Sequence, residues 1–508
     1  MDESALKRGL RYSIIDGALA ATMSSLAGGI FLMGFALKIL KANPWEIGVL
    51  ASLPMFANLI QLLGSYIIEK TGKKKGLCFF AAMASRVLWV LIILLPLKIF
   101  DAYADFRVWV LVAVIGLSSL LGSLSGIGWS AWMGELVPED IRGSYFGKRN
   151  MISSAAGLIA VVAAGKFVSI WESRFSEENP YSFVIVFIVG VVAGLLSSWF
   201  LALVPDSEGV AADKPTIEPA GSMFLKPLKD RNFLLLVLFV SAWTFSAQLA
   251  GPFYGVFMIE HLKIGFSTIT IFGLFATLAT LFMMKIWGPI SDKLGNKPII
   301  MVCVVFLVFV PFIWIVALPG KYYLQVLAAH LIAGAFSAGV SLSQFNILIK
   351  LSPSQGRSTY MAIFSAMTGF IGALAPLAGG KAVTALTGMG FSVYSYSVTS
   401  LHLVFIASAI LQALSLLVLV AVNEPASASP VAVLIQLRND LNLQTGISSS
   451  TDFVMVEMER AGGLLKKLDD VTDELAEKSE EVIEDALDKF EDAIEKPLDK
   501  IKKFFKED

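Results

Sequence analysis

Apolar stretches of about 20 residues, nearly free of Asp, Glu, Lys and Arg, alternate with short polar breaks along this chain. They lie near 17–37, 47–68, 76–97, 108–134, 150–171, 181–204, 233–259, 264–284, 298–318, 322–349, 358–380 and 400–422. At a rise of about 1.5 Å per residue each can cross roughly 30 Å of hydrocarbon as a helix, so the pattern predicts twelve transmembrane helices. The first stretch is too long for a signal-peptide core, which predicts that it stays in the protein.

One long polar interruption, 205–232, separates the sixth stretch from the seventh. The expected organisation is a six-helix bundle over 1–204, a cytoplasmic linker over 205–232, a second six-helix bundle over 233–423 and a cytoplasmic tail over 424–508. In the tail, Leu464, Leu468, Val471, Leu475, Val482, Ala486, Phe490 and Ala493 follow helical spacing, which predicts an amphipathic, coiled-coil-like helix. Self-association or a protein partner is the function such a helix suggests, with a loosely structured solubilising tail as the alternative.

Composition supports a membrane protein: 56% of the 508 residues are apolar and only 16% are charged, against about 25% in soluble domains. The net charge of −1 hides an asymmetry, because the last 48 residues carry a net −7 and the rest +6. Lys and Arg gather in alternate loops, among them Lys70, Lys73, Lys74 and Lys75, then Arg142, Lys148 and Arg149, then Lys293 and Lys297. By the positive-inside rule those loops and both termini face the cytoplasm of a multi-pass cell-membrane protein. A near-neutral chain argues against nucleic acid as a partner, and two cysteines argue against a disulfide scaffold. Three dispersed histidines, no zinc spacing and no phosphate-cradling loop leave no catalytic, cofactor or metal centre to expect.

Two loops repeat. Ser65 to Lys75 carries Glu69, Gly72 and Lys73 after the second stretch; Gly288 to Lys297 carries Asp292, Lys293, Gly295 and Lys297 after the eighth. Gly72 and Gly295 are 223 positions apart. A second pair, with Pro138, Arg142 and Gly143 after the fourth stretch and Pro353 and Arg357 after the tenth, has nearly the same period. Glycine permits a tight reversal, an acid accepts hydrogen bonds at a helix end, and lysines suit an anionic leaflet, so these loops are candidate gates. Plain hairpin topology accounts for a single such loop less demandingly.

With Gly288, Asp292, Lys293, Gly295 and Lys297 in place, the second loop resembles the signature of the major facilitator superfamily; the first departs from it at Ser65 and Glu69. The resemblance covers roughly residues 10 to 423. It implies an all-α membrane fold of two pseudo-symmetric six-helix bundles with substrate near mid-membrane. It also implies a secondary transporter and not an enzyme, moving a small solute by alternating access.

In that family the first helix of each three-helix unit lines the cavity. Spans four, seven and ten carry polar stripes that fit: Ser125, Trp129 and Trp132; Thr244 and Gln248; His330, Ser337, Ser341 and Gln344 with Asn346 nearby. Polar faces in hydrocarbon are costly unless they meet water or one another, although small residues also let helices approach closely. The lining favours a neutral or weakly charged solute. A lipid, amphiphile or drug is the alternative cargo, and a membrane sensor or scaffold signalling through the tail is the alternative class. Asp16, Glu135 and Arg86 are the candidate coupling charges, for a proton or sodium ion.

Overall fold

A computed structural model describes residues 3–96, 106–138, 140–206, 227, 229–353, 357–388, 391–393, 396–425 and 427–445. Among the described residues twelve helices are long and apolar enough to cross a membrane: Ser4–Ile39, Pro44–Ile68, Lys74–Leu94, Arg107–Leu136, Arg142–Arg174, Tyr181–Leu203, Arg231–His261, Phe266–Leu294, Lys297–Ile315, Tyr323–Leu351, Thr359–Ala385 and Ser400–Ala421, hereafter spans 1 to 12. Span 1 begins earlier than its apolar core because the helix continues back through Lys7, Arg8 and Arg11, which stay exposed. A small antiparallel hairpin, Phe391–Val393 with Tyr396–Val398, precedes span 12.

Residues 1–434 form one compact unit and 435–508 another. In the second, Gln436 Nε2 donates to Asp440 Oδ1 at 2.8 Å within the helix Pro430–Thr445, which the apolar pattern did not predict. The helix expected from Leu464 onward and most of the expected linker lie outside the described residues.

The first unit is built twice. Span 1 packs on spans 5 and 6, and span 7 packs on spans 11 and 12 in the same way. Both leading spans end in a widened π turn, Phe35–Ile39 and Phe257–His261. Each is followed by a lysine in the left-handed region, Lys41 (φ 57°) and Lys263 (φ 53°), a conformation that costs a non-glycine residue about 1–2 kcal/mol. Cys78 packs its backbone on Gly128, and Cys303 packs its sulfur on Gly339; both thiols are buried and free, as equivalent repeat positions require.

Spans 2 and 11, and spans 5 and 8, join the halves. Their contacts gather toward the face opposite Gly72 and Gly295. A Cβ on Gly48 would lie 2.4 Å from the Pro376 carbonyl oxygen, and one on Gly380 would lie 2.6 Å from that of Pro44, so two backbones touch there. Ser267 N–H donates to Ser169 Oγ at 2.9 Å. Phe266 stacks on Phe31 (6.1 Å) and meets Phe183 edge-on (5.4 Å), with Lys38 Nζ 5.2 Å from its ring centre. Lys38 is in turn paired with Glu172 at 2.9 Å and Glu177 at 3.0 Å. One aromatic side chain of span 8 is therefore seated in a pocket of the other half.

Candidate functional site

Two spans break along their length and a third carries a proline inside a continuous helix. Span 1 is interrupted at Gly28 and Gly29, where Gly29 adopts φ +51°. Span 7 contains Pro252, which cannot donate into the helical ladder. Span 2 contains Pro54 and then tightens to a 3₁₀ turn at Asn58–Ile60, a geometry that marks hinges when it occurs inside a helix.

At that turn Gln61 Nε2 donates to Asn58 Oδ1 (3.2 Å), and Ser123 Oγ of span 4 donates to the same oxygen (3.1 Å). Asn58 is exposed. A side-chain amide left in hydrocarbon would lose its hydrogen bonds with water, so this cluster belongs to a polar space. Just above it Gln248 Nε2 contacts Met55 Sδ at 3.6 Å, Thr244 Cγ2 would lie 2.9 Å from a Cβ on Gly372, and Phe56 meets Phe370 edge-on at 6.1 Å. The Gln248–Met55 and Phe56–Phe370 contacts join the halves at mid-span, while Thr244 packs on span 11 of its own half.

Of the stripe expected on span 10, Ser337 and Ser341 are exposed and Gln344 is half-buried. Asn346 Nδ2 donates to Ser291 Oγ of span 8 at 3.3 Å. His330 is enclosed between the rings of Phe272 and Trp314, each 5.6 Å away, with Nδ1 2.8 Å from the Val326 carbonyl oxygen.

The stripe on span 4 faces elsewhere. Ser125 Oγ donates to the Cys78 carbonyl (3.0 Å), Trp132 is fully buried with Nε1 donating to the Pro205 carbonyl (3.2 Å), and Trp129 lies under the Arg149 guanidinium at 4.1 Å. The physical reason is close packing: span 4 presents its small residues to span 3, where Gly128 leaves room for the Cys78 backbone. Asn58, Gln61 and Ser123 take the place expected for it. Their signal was in the sequence, as two amides three positions apart in an otherwise apolar stretch.

The expected coupling charges separate. Glu135 is exposed and paired with Lys74. Asp16 and Arg86 meet through the side chain of Ser197, which donates to Asp16 Oδ1 (2.5 Å) and accepts from Arg86 Nη2 (2.9 Å). Arg86 Nη1 also donates to Ser198 Oγ, and Arg149 Nη2 lies 3.4 Å from Asp16 Oδ2. Spans 1, 3, 5 and 6 thus share one buried ionic network. The loop reading had placed Arg149 with the surface lysines, yet its helix carries it inward.

The hairpin residues form two matching clasps. Gly72 (φ +67°) closes span 2 by donating to the Ile68 carbonyl, and the exposed Lys73 caps the next helix. Lys75 Nζ donates to the carbonyls of Ala202 (3.1 Å) and Val204 (2.7 Å); Lys297 Nζ donates to those of Val420 (2.8 Å) and Val422 (2.7 Å). A lysine thereby satisfies the orphan carbonyls at the end of span 6 and of span 12. Arg142 does the same for span 4, donating to Gly134 (3.0 Å) and Val137 (3.3 Å), next to half-buried Pro138 and exposed Gly143. Asp292, Lys293 and Pro353 are exposed, and Gly288 has open space where a Cβ would stand. The side chains of Glu69 and Arg357 lie outside the described ones.

The acid that caps span 9 is one the loop pattern missed, Glu424. Its Oε2 accepts from the backbone N–H groups of Asn296 (2.8 Å) and Lys297 (2.7 Å), and its Oε1 from Asn296 Nδ2 (2.8 Å) and Lys350 Nζ (3.0 Å). Burial pushes its carboxyl up, but the Lys297 N–H, the Asn296 amide and Lys350 outweigh that and hold it below the usual carboxylate range. A depressed folded-state pKa gives stability that is complete above the ordinary value, about 4.3, and lost as pH falls through the folded value. Thermal unfolding between pH 7 and pH 3 checks this: the melting temperature of the protein should fall at the acid end, and Glu424→Gln should be less stable at pH 7 and flatter against pH.

A cavity of about 520 Å³ lies where spans 1, 5 and 8 meet. Ser24, Ser25, Ser153, Ser154 and Thr277 supply hydroxyls from both halves, against Leu158, Val161 and Leu274.

A family model described as Major Facilitator Superfamily matches residues 17–376 and again 244–436. No curated protein matches the sequence. Among solved structures, a mutant of the nucleoside transporter NupG superposes with a TM-score of 0.63 at 14% identity, covering 83% of this chain and 100% of that one. A bacterial homolog of the human lysosomal transporter Spinster, in an inward-facing and unoccupied conformation, gives 0.59 at 12% over 87% and 99%. A D-xylose–proton symporter gives 0.59 at 14% over 84% and 98%. At such identities these likenesses establish the fold.

Proposed function

Because the chain belongs to the major facilitator superfamily and is a secondary transporter, we propose that it moves a small solute, neutral or weakly charged, through the polar space between its halves. The observation that carries this reading is the Asn58–Gln61–Ser123 cluster: amides at a helix break, mid-span, immediately below the side chains that join the halves. A solute hydrogen-bonded there touches one half directly and lies beside the contacts that the other half must release.

The two faces divide the work. The basic face is the cytoplasmic one by the positive-inside rule, so the closed seams around Gly48, Gly380 and Phe266 face outward and the conformation is inward-open. Asp292, exposed here, is placed to accept hydrogen bonds from a helix end when the cytoplasmic side closes. The segment 205–232 then serves as the tether that lets two bundles of 1–204 and 233–423 rock against each other.

A thermal-shift screen of purified protein across sugars, nucleosides, amino acids and organic acids tests the site. A stabilising hit should be lost in Asn58→Ala and in Gln344→Ala and kept in Ser144→Ala, an exposed position on the basic face. A hit indifferent to both cavity variants would move the site elsewhere.

A further inference from the structure

The buried network of the first half does not balance. Arg86 and Arg149 bring two positive charges, and the carboxylate they act on among the described residues is Asp16. One guanidinium's worth of charge is left inside the protein, where a low dielectric makes it expensive. The second half offers no equivalent set, since the corresponding region of span 7 is apolar around Leu238.

That excess lies at the foot of the cavity between spans 1, 5 and 8. Ser153 lines the cavity, and its Oγ is buried with no hydrogen-bond partner. The point where a Cβ on Gly17 would stand is 2.7 Å from Ser153 Oγ and 2.9 Å from Arg149 Nη2, so hydroxyl and guanidinium are neighbours. Above them the wall carries Ser24, Ser25, Ser154 and Thr277, and the break at Gly28 and Gly29 takes backbone carbonyls of span 1 out of the helical ladder. A volume of about 520 Å³ is in the range of small-molecule sites.

From this arrangement we infer that the cavity takes an organic monoanion, a hydroxycarboxylate in chemical class, with its carboxylate beside Arg149 and Ser153 and its hydroxyls along spans 1, 5 and 8. One unit of excess charge matches one carboxylate and not a phosphate dianion. The Arg149 guanidinium uses Nε on the Ser13 carbonyl (3.1 Å) and Nη2 on Asp16 (3.4 Å), which leaves Nη1 to donate to a carboxylate, and the unpartnered Ser153 hydroxyl beside it adds a second donor. Hydroxyls in place of lysines along the wall leave the body of the ligand uncharged. The inference rests on the transport reading for its purpose and adds to it a class of solute and a carboxylate site on spans 1, 5 and 8, besides the Asn58 cluster on spans 2 and 4.

Ser154→Cys provides a test in full-length protein in nanodiscs, because Cys78 and Cys303 are buried. An anionic sulfonatoethyl methanethiosulfonate should modify the new thiol about tenfold faster, relative to its rate with a free thiol, than the cationic trimethylammonium reagent, and Arg149→Gln should remove that preference. Gluconate should slow the modification and sorbitol should not. Gly273→Leu, which grows into open space on the cavity wall, should abolish the gluconate effect. Equal or cation-favouring rates, or equal protection by sorbitol, overturn the inference. The transport reading is separately at stake: proteoliposomes that accumulate neither gluconate nor any neutral solute would sink it even if the labelling preference holds.

Discussion

Replacing Asp16 with alanine should destabilise the protein by roughly 3–5 kcal/mol, among the largest effects expected of any single substitution in the chain, because it leaves buried cations without their acid. The carboxylate sits 3% exposed between Ser197, at 2.5 Å, and Arg149, at 3.4 Å, and reaches Arg86 through the same serine. Removing it takes the acid away from two largely buried guanidiniums at once. Asp16→Asn should cost less, since an amide still accepts from Ser197 while losing only the charge. Arg86→Met should be milder than Asp16→Ala, because it leaves Asp16 with Arg149. Thermal or denaturant unfolding in a fixed detergent gives the order. If Asp16→Ala melts within a degree or two of the unaltered protein, the network is not holding spans 1, 3, 5 and 6 together.

A disulfide across the outward seam should stop transport reversibly. Ser169 and Ser267 come from different halves and are already joined, Ser267 N–H to Ser169 Oγ at 2.9 Å. Converting both to cysteine changes little volume, and the 2.9 Å contact of the Ser169 side chain with the Ser267 backbone brings the two positions together. Under oxidising conditions the pair should hold spans 5 and 8 together and cut uptake about tenfold or more, because alternating access needs this seam to open. Reductant should restore uptake, which separates locking from misfolding. Each single cysteine should transport normally in both conditions. Full uptake by the oxidised double variant would mean that the contact around Phe266 does not belong to a gate.

How far the sequence alone reached depends on whether a feature is local. The twelve spans and the glycine–lysine hairpins were legible because each lies within a few consecutive residues and answers to one physical demand, apolar length or a tight reversal. The stripe of Ser125, Trp129 and Trp132 was visible too, but one helical face looks the same whether it meets a cavity or a neighbouring helix. Only the position of span 3, with Cys78 against Gly128, decides between them. Glu424 escaped because its partners Asn296 and Lys350 are 128 and 74 residues away, and nothing local marks a helix-capping acid that arrives from another span. Asn58 and Gln61 were within reach, since amides three apart in an apolar stretch are costly unless they face something polar.

The distance between Asp16 and Ser197 has a consequence for how the chain is made. They are 181 residues apart. At a synthesis rate of roughly 5–20 residues per second, span 1 emerges about 9–36 s before span 6 can bring the serine that links its acid to Arg86. Arg149, on span 5, comes earlier and becomes the first partner. During that interval the nascent first half holds charged side chains that its own helices do not yet satisfy, and it stays open to capture by whatever in the membrane shields them. The last helix of the bundle is therefore the one that completes the first, and truncation before Ser197 should yield a chain retained and degraded and not a smaller stable bundle.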